Sequence, residues 1–189
     1  GARDAEWGLG MRLDNTISYP FQMGLGAIQD EKLLYQMGQE VGRQLKRVGL
    51  HLNFAPVVDV NNNPNNPVIN YRSFGEDKRN VARKAIQYMK GMQSEQVLTT
   101  AKHFPGHGDT DTDSHYDLPV IQHPVERLDS LELYPFKKII EAGIGGVMVA
   151  HLNIPALDDS GVPSTLSYPI ITELLKEDLG FEGLIVTDA

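Results

Sequence analysis

Apolar positions along the chain follow two alternating patterns. From Asp30, residues Leu33, Leu34, Met37, Val41, Leu45 and Val48 recur every three or four positions and Gly49 closes the run, which predicts an amphipathic helix. Leu50 to Val60 then reads as a strand. Asn61 to Asn66, with prolines at 64 and 67, reads as a polar loop through which neither element can continue. Asp77 is placed to cap a second helix carrying Val81, Ala85, Met89 and Met92. The cycle then repeats, with strand Val97 to His103, a long loop to about residue 122, and a helical stretch from Val125 to Ala142 with a kink expected at Pro135. Gly145 to His151 is the next strand. A loop to Thr165 leads to a helix with Ser167 as N-cap and Pro169 in its first turn, Gly180 ends it, and Gly183 to Asp188 is the last strand.

Strands alternating with helices define an α/β fold with a parallel sheet. Runs such as Gly-Val-Met-Val-Ala and Gly-Leu-Ile-Val-Thr are apolar enough to be buried on both faces. Polar residues gather just after each strand, at Asp4, Asp59 to Asn63, Lys102 to His115, His151 and Asp188, as they do on the active-site face of a parallel barrel. An open doubly wound sheet obeys a similar rule at its switch point, so this pattern leaves both architectures open. Asp4 and Glu6 are placed like residues after a strand that lies before residue 1.

With 189 residues, 41% of them hydrophobic, the chain can build one sizeable core, so it is one domain or part of one. The net charge of -8 and the lack of any basic run argue against nucleic acid or an anionic membrane surface as partner. The absence of cysteine removes disulfides and thiolate metal sites but leaves the compartment, cytoplasmic or periplasmic, open. No apolar stretch approaches the roughly 20 residues that span a bilayer, so no membrane insertion is expected. The first residue is not methionine, which leaves a removed signal or anchor open.

The segment richest in chemistry is Lys102-His103-Phe104-Pro105-Gly106-His107-Gly108, followed by Asp113-Ser114-His115. A loop this long, rich in His and Asp, is usually functional when it is ordered. A metal held by His103 and His107 is one reading. It meets the objection that ligands four apart converge on a helix, which Pro105 and the flanking glycines disfavour. Asp113 and His115 are two apart, so the carboxylate can fix the imidazole tautomer and leave the other nitrogen to move a proton. From spacing alone, a surface Asp-x-His is usually incidental. Asp188, at the mouth of an apolar strand, is costly unless paired and reads as functional. Arg72 has a fork suited to hydroxyl or carboxylate recognition, or to a plain surface ion pair.

Together these residues resemble glycoside hydrolase family 3, in its β-N-acetylglucosaminidase branch. Lys-His-Phe-Pro-Gly-His-Gly, four residues, then Asp-Ser-His is similar to that branch's signature. Asp4 to Gly8 through Arg12 is similar to its early acidic-glycine motif, Arg72-Ser73-Phe74 to its arginine motif, and Gly180 to Asp188 to its nucleophile strand. The resemblance implies a (β/α)8 TIM-type barrel and a retaining hydrolase that releases terminal β-linked N-acetylglucosamine from small glycans such as muropeptides. It implies that Asp4, Arg12, Arg72, Lys102 and His103 bind the sugar, that Asp113 and His115 are the acid/base pair, and that Asp188 is the nucleophile. Neither a metal nor an organic cofactor is implied. Phosphorolysis is a variant of the same chemistry, because a neutral base repels phosphate less than a carboxylate does.

Two features depart from the family pattern. Trp7-Gly8 stands where many members have Gly-Gly. An eight-stranded barrel also takes about 250 residues, whereas four complete strands and the end of a fifth are expected here, so residues 1–189 are expected to form an incomplete barrel, part of one catalytic domain. A family-3 β-glucosidase, a non-catalytic carbohydrate-binding remnant and a metallohydrolase are the rival readings. Oligomeric state stays open.

Overall fold

The computed structural model describes residues 1–110 and 118–188. Five strands, β1 (Ala2–Arg3), β2 (Leu52–Asn53), β3 (Leu98–Phe104), β4 (Gly146–Val149) and β5 (Leu184–Thr187), form one sheet in the order β1-β2-β3-β4-β5. Every neighbouring pair is parallel. A doubly wound sheet must reverse its strand order at the switch point, and this order never reverses. The result is a curled parallel half-barrel with alternating helices, part of a (β/α)8 barrel.

Helices α1 (Gln22–Gly26), α2 (Lys32–Arg47), α3 (Lys78–Ser94), α4 (Val125–Ser130) and α5 (Leu133–Glu141), together with a π-type helix Pro169–Asp178, make up the helical layer. The period expected from Asp30 holds at Leu34, Met37, Val41 and Leu45 of α2, which are buried, whereas Leu33 in its first turn and Val48 just past its end are exposed. Asp77 caps α3, accepting from the Arg79 and Asn80 amides at 2.8 and 3.3 Å. Glycines let α2 and α3 approach closely, because a Cβ on Gly38 would lie 2.3 Å from the Tyr88 carbonyl oxygen and one on Gly91 2.1 Å from that of Tyr35. Leu34, Val41, Tyr88, Met89, Phe104 and Phe136 belong to the one core between helices and sheet. Among the described residues, no helix is long and apolar enough to cross a membrane.

The structure departs from expectation in several places. The strand preceding Asp4 lies within the chain, as Ala2–Arg3 paired with Leu52–Asn53. The expected strand Leu50 to Val60 is regular only at Leu52–Asn53, because Pro56 has no N–H to give a ladder. Its continuation still follows β3, with Val58 N–H donating to the Lys102 carbonyl at 2.8 Å. The helical stretch from Val125 breaks at Leu131 and Glu132 rather than at Pro135, which sits in the first turn of α5, where no intrahelical N–H is needed. β5, expected to be buried on both faces, is half exposed, since among the described residues it pairs only with β4.

Candidate active site

The carboxyl ends of β1, β3 and β5 converge on one cavity of about 440 Å³, lined among others by Asp4, Glu6, Arg12, Arg72, Lys102, His103 and Asp188. Backbone just past β1 carries Asp4 and Glu6. It is held by the Asn53 side chain, which accepts from the Ala5 N–H and donates to the Ala5 carbonyl, both at 3.0 Å, and by the Tyr88 hydroxyl, which donates to the Glu6 carbonyl at 2.8 Å. Lys102 and His103 end β3, Arg72 ends a single 3-10 turn at Asn70–Arg72, and Asp188 follows β5.

Glu6 is the hub. Fully buried, it accepts from Arg72 Nη2 at 2.7 Å and Nε at 3.1 Å, and pairs with Lys102 Nζ at 2.8 Å. Burial alone would raise its pKa, but the charges and hydrogen bonds of Lys102 and Arg72 outweigh this and hold it at about 2. Burial likewise works against the Arg72 cation, and its bonds to Glu6 with the charges of Glu6, Asp59 and Asp4 raise its pKa instead. Asp4 takes Lys102 Nζ at 2.9 Å on one oxygen and Arg12 Nη2 at 3.0 Å on the other. The three cations next to Glu6 and Asp4, namely Arg12, Arg72 and Lys102, are therefore positioned before any ligand arrives.

His103 is set from behind by Asp59, which is fully buried and accepts from His103 Nδ1 at 2.7 Å, from the His103 amide at 3.1 Å and from the His107 amide at 2.7 Å. Burial, with the positive charges of Arg72 and Lys102, pushes the His103 pKa well below its ordinary value. Burial also raises that of Asp59, against the His107 charge and the amides of His107 and His103. Both shifts keep the imidazole neutral, with Nδ1–H donating to Asp59. Nε2 then faces Arg72 Nη2 at 3.5 Å and Asp188 Oδ2 at 3.9 Å. A neutral ring brings no further positive charge to the cavity beside Asp188.

Asp4, Arg12, Arg72, Lys102, His103 and Asp188, singled out from the sequence, thus share one cavity. Asp113 and His115 lie outside the described residues. Glu6 and Asp59 were placed at strand ends by the sequence but were assigned no role in the site. The signal was available, since Asp59 interrupts Val57-Val58 and Val60 as a lone acid at a strand mouth, the same argument that singles out Asp188. The rings of His103 and His107 meet edge-on at 5.9 Å, with His107 Nδ1 bonded to the Thr110 hydroxyl at 2.8 Å. Asp109, His123 and Glu132 come close enough to ligate a metal, but the Arg127 guanidinium already stands 3.2 Å from Glu132 and 3.6 Å from Asp109. That cation supplies the charge an ion would bring, and would repel one.

A curled parallel half-barrel with a charged cavity at its strand ends is the architecture of a (β/α)8 enzyme. The glycosyl hydrolase family 3 N terminal domain matches residues 2–189, and the chain belongs to that family. It is 41% identical to β-hexosaminidase A of Pseudoalteromonas piscicida, over all of this chain and 34% of that protein. The structure of a glycoside hydrolase family 3 β-N-acetylglucosaminidase from Paenibacillus sp. str. FPU-7 superposes with a TM-score of 0.95 at 44% identity, over 100% of this chain and 36% of that one. NagZ from Neisseria gonorrhoeae, in complex with N-trifluoroacetyl-D-glucosamine, superposes with a TM-score of 0.91 at 32% identity, over 99% of this chain and 57% of that one. The chain thus spans about a third to just over half the length of these relatives.

Proposed function

We propose that this chain supplies the reacting-sugar subsite and the nucleophile of a retaining β-N-acetylhexosaminidase, which hydrolyses terminal β-linked N-acetylglucosamine from small glycans. The observation that carries the reading is the convergence of Asp188, just past β5 and about one-third exposed, on one cavity with Asp4, Arg12, Arg72, Lys102 and His103. Asp4, Arg12, Lys102 and Arg72 offer acceptors and donors at fixed positions for sugar hydroxyls. Asp188 attacks the anomeric carbon, the glycosidic bond breaks, and the leaving oxygen takes a proton from His115, whose tautomer Asp113 fixes. Water, deprotonated by the same imidazole, then cleaves the glycosyl-enzyme ester with net retention. The roles of Asp113 and His115 rest on the sequence motif alone.

Residues 1–189 form, on this reading, part of one catalytic barrel domain, because the sheet curls while the outer edges of β1 and β5 are unpaired among the described residues. The test is turnover by the full-length protein of aryl β-N-acetylglucosaminides and aryl β-glucosides, with and without inorganic phosphate, following the anomer of the first product by NMR. Faster release from the N-acetylglucosaminide, as the β-anomer and independent of phosphate, is expected. A preference for the glucoside, a sugar phosphate as product, or the α-anomer would overturn it.

A further inference from the structure

Two short motifs that meet at the Glu6–Arg72 ion pair each carry an aromatic residue beside the charged one. Trp7 follows Glu6 and Tyr71 precedes Arg72. The 2.7 Å contact between Glu6 and Arg72 therefore pins the backbone that bears both rings. Phe21 closes the gap between them, edge-on to Trp7 at 4.6 Å between centroids and tilted against Tyr71 at 4.5 Å. Trp7 and Tyr71, with Met11 and Val68, line the same cavity as the charged floor. The cavity thus has apolar as well as charged lining. Tyr71, which lines the cavity, remains 46% exposed, which sets it at the mouth rather than at the base, and Phe21 braces it from outside the lining.

A pyranose ring presents hydroxyls at its rim and C–H bonds on its faces, and a flat aromatic surface suits the latter. We infer that Trp7 and Tyr71, braced by Phe21, form an aromatic wall at the cavity mouth that stacks against the sugar linked to the reacting one, and so selects the leaving group. The inference rests on the glycosidase reading of the cavity. A leaving group departs toward the mouth, and the wall stands there. It also spans two rings, more than the acetamido methyl of the reacting sugar could cover. No charged side chain belongs to the wall itself, so it favours a neutral saccharide.

The experiment compares di-N-acetylchitobiose with N-acetylglucosaminyl fluoride, whose leaving group is too small to touch the wall, in full-length wild-type, Trp7→Ala, Trp7→Phe and Tyr71→Ala proteins. The ratio of kcat/KM for the disaccharide to that for the fluoride should fall about tenfold in each alanine variant, chiefly through KM, and Trp7→Phe should recover much of it. Equal losses on both substrates would assign the wall to the reacting sugar and overturn the inference. An unchanged ratio would overturn it too, as expected if another part of the full-length protein covers the rings. Should the wild-type protein cleave neither substrate, the glycosidase reading fails by itself. Calorimetric binding of di-N-acetylchitobiose then decides the wall: tighter binding than N-acetylglucosamine that is lost in Tyr71→Ala supports it, and no such difference overturns it.

Discussion

Replacing Glu6 by glutamine preserves shape and removes one charge from the most buried part of the site. Arg72 and Lys102, with side chains 20% and 2% exposed, would lose a counter-charge that now lies 2.7 and 2.8 Å away. Lys102 keeps Asp4 at 2.9 Å, so the loss falls mainly on Arg72. Deleting one member of a buried ion pair typically costs about 3–5 kcal/mol. The carboxyl gives an independent figure: a pKa lowered from 4.5 to about 2 on folding corresponds to roughly 3 kcal/mol at neutral pH. Because the folded-state pKa is the lower one, this stabilisation is complete above pH 4.5 and is lost as the pH falls toward 2. About 2 kcal/mol of it should be gone by roughly pH 3. Urea unfolding of full-length wild type and Glu6→Gln at neutral pH and in steps toward pH 3 measures both quantities. A neutral-pH difference within about 0.5 kcal/mol, or one that does not shrink on acidification, would refute the assignment of Glu6 as an ionised hub.

Asp59→Asn keeps the volume but turns an amide N–H₂ toward donors that now meet a carboxylate, so about 2 kcal/mol of stability should be lost, with the His103 Nδ1–H signal in nitrogen-resolved NMR shifted or exchanged away; an unchanged melting temperature and signal would contradict this. Gly38→Ala gains helix propensity, yet its methyl would press on the Tyr88 carbonyl at 2.3 Å and on the Gly91 Cα at 3.0 Å, so a net destabilisation of at least ~1 kcal/mol is expected in chemical denaturation. A more stable variant would mean that the α2–α3 crossing can open.

What the sequence reveals depends on how local its cause is. The helix from Asp30 and the Asp77 cap are legible because a period and one side chain suffice to define them. The strand at Leu52–Asn53 is less so, since its ladder is cut short by Pro56 while its course is fixed by β3, 46 residues further along the chain in the pairing of Asn53 with Thr99. Glu132 illustrates the same limit. It stops the helix that precedes it because its carboxylate accepts from Asn62 and pairs with Arg127, both at 3.2 Å, and no helical periodicity encodes a partner at residue 62. In the site, the cavity-lining residues Asp4, Lys102, His103 and Asp188 were legible as strand-end motifs. Of their supports, Asp59 carried the same strand-mouth signal as Asp188, whereas the part played by Glu6 was not legible, because a buried carboxylate reads from sequence like any other acid until its partners are known.

The account stands or falls on Asp188 as the nucleophile. A fluorinated N-acetylglucosaminyl fluoride that forms the glycosyl-enzyme quickly and releases it slowly should label the full-length protein once, and peptide mass spectrometry should place the label on Asp188. Asp188→Ala should take no label and lose turnover of every substrate, whatever its leaving group. A label on another residue, or turnover persisting in Asp188→Ala, would contradict it.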